Sequence, residues 1–247
     1  MSSAQYKRPP HTRASFTPDE ENNSRDIRHA PVQRRPPPIG FYSKYGKRML
    51  DLAASALGLF FLSPFFAFVA GSIWCSSRGP VFFRQIRVGR NGQPFQIIKF
   101  RSMNADGSKL PAGITASSDP RITAAGRIFR HYKIDELPQL WNVLCGDMSL
   151  VGPRPELSKY VKHYSNEQRR VLSVRPGITD PASLAYRNEE EILSGCKDPE
   201  SYYLTAILPD KVSQNLAYLK DVTLTGDLRI IFLTIFHSFV SVQSGPR

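Results

Sequence analysis

A chain of 247 residues with 33 Lys and Arg against 21 Asp and Glu carries a formal net charge of +12, which points to anionic partners: nucleic acid, acidic lipid or phosphorylated substrates. Its three cysteines, Cys75, Cys145 and Cys196, stand apart, which excludes a disulfide framework or a zinc pattern and fits a reducing, cytoplasmic setting. There is no Walker A loop, no Gly-x-Gly-x-x-Gly after a strand and no nucleophile elbow, and the five histidines are scattered.

The first forty residues hold seven prolines and no apolar periodicity. They cannot bury enough surface to offset the entropy of ordering, so residues 1–40 are expected to be a disordered basic tail before one domain over residues 41–247. Residues 1–48 carry ten Lys or Arg against four Asp or Glu, and residues 76–131 carry ten against two. Between these basic blocks lie 24 uncharged residues, Leu52 to Cys75, long enough for a straight helix to cross a bilayer. Pro64, preceded by Ser63, interrupts that helix by removing a hydrogen bond. Each arm of about twelve residues then reaches only roughly 18 Å into a hydrocarbon core of about 30 Å. Lys44, Lys47 and Arg48 precede the stretch and Arg78, Arg84, Arg87 and Arg90 follow it, so positive charge marks both ends for the cytoplasmic side. Residues 49–76 therefore read as a plain span or as a re-entrant helical hairpin broken at Ser63 and Pro64, with Ser63 bonding a carbonyl freed by the proline.

Alternating runs Val81–Val88 and Pro94–Arg101 flank Arg90-Asn91-Gly92-Gln93, a hairpin signal that puts Lys99 and Arg101 on one face of an antiparallel pair. The stretch Asn104–Ser118 reads as a linker or a mobile cover. Thr123–Tyr132 has helical spacing, with Ile128 and Phe129 inward, and delivers Arg130 five residues before Asp135. A further helix is expected to start at Asp135, because Leu137, Leu140, Trp141 and Leu144 recur at a helical period and Pro138 is tolerable only in a first turn. Asp135 would be its N-cap, and a lone Asp-Glu pair ordinarily does no more than cap a helix. Arg154, stiffened between Pro153 and Pro155, and the basic approach give the dyad a second reading: a carboxylate at a helix start, among arginines, suited to meeting phosphate.

Beyond the dyad, Pro155 opens a helix with Tyr160, Val161 and Tyr164, and Ser165-Asn166-Glu167-Gln168 has the capping-box pattern. Arg175-Pro176-Gly177 forces a turn. Glu189, Glu190 and Glu191 read as a solvated helix face. Leu224 to Val242 is apolar on most faces, which suits either a buried core helix or an interfacial one. The fold class is α/β and mostly helical: a re-entrant membrane helical hairpin, a small antiparallel β-hairpin and amphipathic helices.

In order, Lys99-Phe100-Arg101-Ser102-Met103, Asp119-Pro120-Arg121-Ile122-Thr123, Asp135-Glu136-Leu137-Pro138-Gln139-Leu140-Trp141-Asn142-Val143-Leu144, Gly146-Asp147-Met148-Ser149-Leu150-Val151-Gly152-Pro153-Arg154-Pro155 and Arg175-Pro176-Gly177-Ile178-Thr179 resemble the bacterial sugar transferase family. These are monotopic phosphoglycosyl transferases, and the likeness runs from about Tyr45 to about Val242. It implies transfer of a phosphosugar from a UDP-sugar to polyprenol (undecaprenyl) phosphate through an aspartyl-phosphosugar on Asp135, with release of UMP, as the first membrane step of glycan assembly. Asp135 and Glu136 would be catalytic, and Lys99, Arg101, Arg130, Arg154 and Arg187 would meet substrate phosphate. Mg2+ would be held by Asp135, Glu136 and Asp227, the last matching an acidic family position. The implied partners are UDP-sugar, polyprenol phosphate and membrane lipid rather than nucleic acid, on the cytoplasmic face of a bacterial inner membrane. Asp180-Pro181-Ala182-Ser183 departs from the family's commoner glycine, aromatic and alanine-glutamine, which leaves the sugar and acceptor unassigned. Two alternatives stay open: direct attack by the acceptor with Asp135 as base and metal ligand, or a non-enzymatic membrane-anchored basic module that binds lipid or nucleic acid.

Overall fold

The computed structural model describes residues 41–104 and 119–240. The expected tail over residues 1–40 and nearly all of the Asn104–Ser118 stretch lie outside the described residues. A π-helical turn, Tyr42–Gly46, leads into α1, Lys47–Ser76. Together they form one helix long and apolar enough to cross a membrane. α1 is assigned as a single uninterrupted helix with Pro64 inside it, where the sequence favoured a break. The Ser63 hydroxyl donates to the Phe60 carbonyl at 2.8 Å, the group whose usual donor, the amide of residue 64, proline lacks.

Both ends of α1 dock on the same domain. Near the N-terminal end, buried Asp51 accepts from the Ser149 hydroxyl at 3.0 Å and the Leu150 amide at 2.9 Å, and Arg48 donates to the Val143 carbonyl at 2.8 Å. Near the other end, Val69 and Ile73 pack with Phe100 and Phe129. From Phe60 to Phe68, by contrast, every residue is exposed or half-exposed, with Phe60 at 72%, Phe61 at 71% and Phe68 at 69%. Contacts with the domain resume on either side of the exposed turn at Ser63 and Pro64: Gly58 faces the Leu140 side chain, and the Phe66 ring meets Phe100 edge-on with centroids 5.4 Å apart.

β1 (Phe82–Val88) and β2 (Pro94–Phe100) pair antiparallel with Phe83 opposite Lys99, as the hairpin pattern requires. Asn91 takes the left-handed conformation at φ 58° that lets the turn close. α2 (Ala124–His131) is N-capped by Thr123, whose Oγ1 accepts from the Gly126 amide at 2.9 Å. Its inner face is Phe129, whereas Ile128, expected inward, is 56% exposed. α3 (Gln139–Cys145) follows, then β3 (Ser149–Val151) and a one-turn α4 (Ser158–Val161). α4 starts three residues after Pro155 because Leu157 is still extended, but Tyr160, Val161 and Tyr164 are buried as their spacing predicts. The capping box forms: the Ser165 amide donates to Gln168 Oε1 at 2.8 Å and the Gln168 amide to Ser165 Oγ at 3.2 Å.

β4 (Gly177–Thr179) pairs parallel with β3, a pairing that two three-residue strands do not announce in sequence. Gly177 makes it possible, since a Cβ there would lie 2.2 Å from the Gly152 nitrogen. Short helices α5 (Pro181–Ala185), α6 (Glu189–Ser194) and α7 (Pro199–Tyr202) lead to α8 (Leu208–Tyr218) and α9 (Leu224–Val240). The largest core gathers Val161, Leu172, Leu193, Tyr203, Ile207 and Val212. α9 is not a core helix, because Asp227 is its one buried residue while Phe232, Ile235 and Phe239 are exposed.

Candidate active site

Asp135 and Glu136 lie in a 3-10 turn, Ile134–Glu136, that begins at Lys133 in the left-handed conformation, φ 56°. Asp135 is therefore not an N-cap: α3 starts at Gln139 with Pro138 before it, and no side chain caps that end. The Leu140 and Trp141 amides are spent on the carbonyls of Leu137 and Pro138, so the expected anion cradle of free amides is not formed. Both acids are buried instead.

Asn142 ties α3 to the β-hairpin, its Nδ2 donating to the Gln96 carbonyl at 2.8 Å and its Oδ1 accepting from the Ile98 amide at 3.0 Å. That stitch brings Lys99 to the dyad, with Nζ 2.7 Å from Glu136 Oε1. Arg154 reaches the same carboxylate, through Nη2 to Oε1 and Nη1 to Oε2 at 3.3 Å. Its backbone is fixed by the flanking prolines and by Asp180, whose Oδ2 accepts from the Arg154 amide at 2.9 Å and from Asn215 Nδ2 at 2.8 Å. Asp180 also accepts from the Ser183 amide as N-cap of α5. The departure from the commoner family motif is thus the residue that fixes Arg154.

The two acids differ in kind. Burial pushes Glu136 up, but Arg154 and Lys99 overcome it and hold the carboxyl well below the usual carboxylate range. Burial raises Asp135, with Lys99 opposing and Glu136 reinforcing. Lys99 is lowered by burial, partly offset by Glu136, and Arg154 is raised, chiefly by Glu136. Both oxygens of Glu136 are occupied, whereas Asp135 Oδ1 is buried with no hydrogen-bond partner. Four residues on, Gln139 is 1% exposed and neither of its amide atoms has a partner.

The other predicted residues are placed elsewhere. Arg130 pairs with Glu190 and Lys211 with Glu189 at 2.7 Å, so two of the three glutamates read as a solvated face hold cations. Arg187 Nη1 lies 3.0 Å from His237 Nδ1 on α9. Arg101 turns to the end of α1. Asp227 is 1% exposed and takes Lys47 Nζ at 2.5 Å, the Tyr42 hydroxyl at 2.7 Å and the Tyr218 hydroxyl at 2.6 Å. It does not join Asp135 and Glu136, and among the described residues no group of three or more His, Cys, Asp or Glu could hold a metal ion. A cavity of about 20 Å³ behind Arg154, bounded by Glu156, Lys211 and Asn215, has room for one water and not for a sugar.

Sequence reasoning passed over Lys133, whose charge lowers both acids, and Asp180. The signal for Asp180 was present, since Asp before Pro is an N-cap followed by a proline at N1. Lys133 had none, because nothing in its neighbours demands a left-handed residue.

A buried carboxylate without a hydrogen-bond partner thus stands beside one bound by two cations, in a helical α/β domain that carries one helix long and apolar enough to cross a membrane. The chain belongs to the bacterial sugar transferase family, whose model matches residues 42–241. It is 35% identical over 213 residues to the UDP-glucose:undecaprenyl-phosphate glucose-1-phosphate transferase of Klebsiella pneumoniae, covering 83% of this chain and 42% of that protein. It is 40% identical over 215 residues to the undecaprenyl-phosphate glucose phosphotransferase of Komagataeibacter xylinus, covering 83% and 37%. Against the exopolysaccharide production protein ExoY of Sinorhizobium fredii the identity is 33% over 213 residues, covering 80% and 86%. The chain thus spans about two fifths of the first two relatives and most of the third.

Proposed function

We propose that the protein transfers a phosphosugar from a UDP-sugar to polyprenol phosphate on the cytoplasmic face of a bacterial membrane, with Asp135 as the nucleophile. The observation that carries this reading is the contrast within the dyad: Glu136 has no free oxygen, while Asp135 Oδ1 is buried and unbonded. A capping or structural acid would have its acceptors filled. An unbonded carboxylate beside Lys99 and Arg154 is placed to meet a phosphorus whose charge those cations balance.

In the first step an Asp135 oxygen attacks the β-phosphorus of the donor. The bond from that phosphorus to the bridging oxygen breaks, and the electron pair leaves with UMP. Asp135 then carries the phosphosugar as an acyl phosphate. In the second step a phosphate oxygen of the polyprenol phosphate attacks the same phosphorus and expels the carboxylate, giving a polyprenyl diphosphosugar. Lys99 and Arg154 neutralise the phosphates throughout, and Glu136 holds both cations in place.

Mg2+ fits through Asp135, since this ion takes one or two carboxylates and completes its shell with water and substrate phosphate; it would neutralise diphosphate charge. Glu136 and Asp227 offer it no free oxygen.

The re-entrant reading of α1 is supported by its two docked ends. Asp51 and Ile73, about 33 Å apart along a straight helix, both contact the domain, while Phe60, Phe61 and Phe68 between them are exposed. A helix crossing perpendicular to the surface would carry one end away.

The test is single turnover with UDP-sugar and Mg2+ and no acceptor. Wild type should release about one UMP per site and gain the mass of a phosphosugar on the peptide containing Asp135. UMP that appears only when acceptor is added, with no adduct, would replace this mechanism by direct transfer.

A further inference from the structure

Arg101 is 6% exposed. Its Nη2 donates to the carbonyl of Ser77 at 2.7 Å and to the Ser77 hydroxyl at 2.9 Å. Its Nε and Nη1 are buried with no hydrogen-bond partner, and among the described residues no carboxylate pairs with it. A guanidinium keeps its charge at any physiological pH, and burying it without an anion is strongly unfavourable. The carbonyl that ends a helix offsets part of that, because it lies at the negative end of the dipole. The donors on two further nitrogens stay unused.

Its position says which anion would use them. Ser77 is the residue that closes α1, and Trp74 beside it is 75% exposed, so Arg101 sits where the apolar helix returns to the domain. On the other side, Arg101 extends β2 through a bond from its amide to the Val81 carbonyl at 2.9 Å. It therefore shares a face with Lys99, at roughly 7 Å along the strand. Lys99 in turn touches Glu136. Arg101 thus stands between the end of the apolar helix, which it touches, and Lys99, which touches the dyad.

We infer that Arg101 is the docking point for the phosphate of the lipid acceptor, held at the membrane boundary one cation short of the dyad. This rests on the transfer reading above. A nucleotide donor comes from water and meets Lys99 and Arg154. An acceptor phosphate bound to an apolar chain must travel along α1, and Arg101 is the buried, uncompensated cation tied to the end of that helix.

The experiment measures UMP release by wild type, Arg101→Gln and Arg101→Lys in detergent. One series varies farnesyl phosphate at saturating donor, and the other varies donor at saturating farnesyl phosphate. Direct binding of farnesyl phosphate and of farnesol is measured without donor. Loss of a charge-assisted contact should raise the acceptor KM of the glutamine variant about 10- to 100-fold, leave the donor KM within about twofold, and weaken farnesyl phosphate binding but not farnesol binding. The lysine variant should fall between, since one ammonium cannot hold Ser77 and a phosphate as a planar fork does. An unchanged acceptor KM with a lowered melting temperature would make Arg101 a helix cap only, and equal rises in both KM values would overturn the assignment to the acceptor. If the glutamine variant does not fold, an unchanged acceptor KM in the lysine variant is enough to overturn it. Wild type that binds farnesyl phosphate through Arg101 but releases no UMP would sink the transfer reading and leave this one standing; normal turnover with unaltered acceptor KM in the variants would do the reverse.

Discussion

Asp227→Asn separates the two roles that an acidic residue at this position can play. In the structure its carboxylate ties three elements together, accepting from Tyr42 and Lys47 at the start of the α1 segment and from Tyr218 on α8. The asparagine keeps one acceptor oxygen and the shape but removes the charge opposite Lys47. Breaking a fully buried ion pair typically costs about 3–5 kcal/mol. Lys47 retains 19% side-chain exposure and can recover some hydration, so about 2–3 kcal/mol is the fitting figure. For a domain of this size that lowers the apparent melting temperature by roughly 5–10 °C. Differential scanning fluorimetry in detergent measures the shift, and UMP release per folded molecule, titrated with Mg2+, measures the chemistry. Stability should fall while turnover and the Mg2+ requirement stay near wild type. A variant with normal melting temperature, lost turnover and a raised Mg2+ requirement would falsify the anchoring role and restore Asp227 as a metal ligand.

Asp135→Asn should abolish turnover with little loss of stability, because Oδ1 makes no hydrogen bond that an amide must replace; UMP assay and melting curves check this together. In donor-free, metal-free protein the raised Asp135 carboxyl binds its proton more tightly folded than unfolded, so its contribution to stability is full at acid pH and is lost as pH rises through the folded value. Wild type should therefore lose stability relative to Asp135→Asn over that rise, and parallel stability–pH curves would refute the shift. Arg154→Lys keeps charge but loses the two-armed grip on Glu136, so activity should drop about 100-fold while membrane attachment persists; near-normal turnover would show that charge alone suffices. Replacing Ser63 and Pro64 together by leucine and alanine should straighten α1 toward a span, read by cysteine labels near Tyr45 and Arg78 that react from one side in wild type and from opposite sides in the variant.

What was legible in the sequence was what local chemistry dictates. The β-hairpin followed from alternation and Asn91-Gly92, the capping box from Ser165 and Gln168, and the Ser63 bond from the carbonyl that Pro64 leaves open. The union of Lys99, Glu136 and Arg154 followed from motif resemblance rather than from spacing, since Lys99 and Glu136 are 37 positions apart in the chain. Asp135 was misread as a cap because helical periodicity from Leu137 onward says nothing of the left-handed Lys133 that turns the chain just before it. The resemblance puts Arg101, Arg130 and Arg187 in one group, and the fold gives each a different protein neighbour: Ser77, Glu190 and His237. Charge identifies what a side chain can bind and leaves open which partner reaches it first.

The re-entrant reading of α1 proposed above also bears on how the protein would respond to the bilayer itself. A helix that crosses a membrane must match its thickness, and it tilts, kinks or deforms the lipid when it does not. On that reading an arch anchored at Arg48, Asp51, Val69 and Ile73 would have its depth fixed by its own feet, and the far leaflet would make no demand on it. The height of Asp135 above the hydrocarbon would then be set by the protein, and membranes of different thickness would present the proposed acceptor phosphate to the same level of the site.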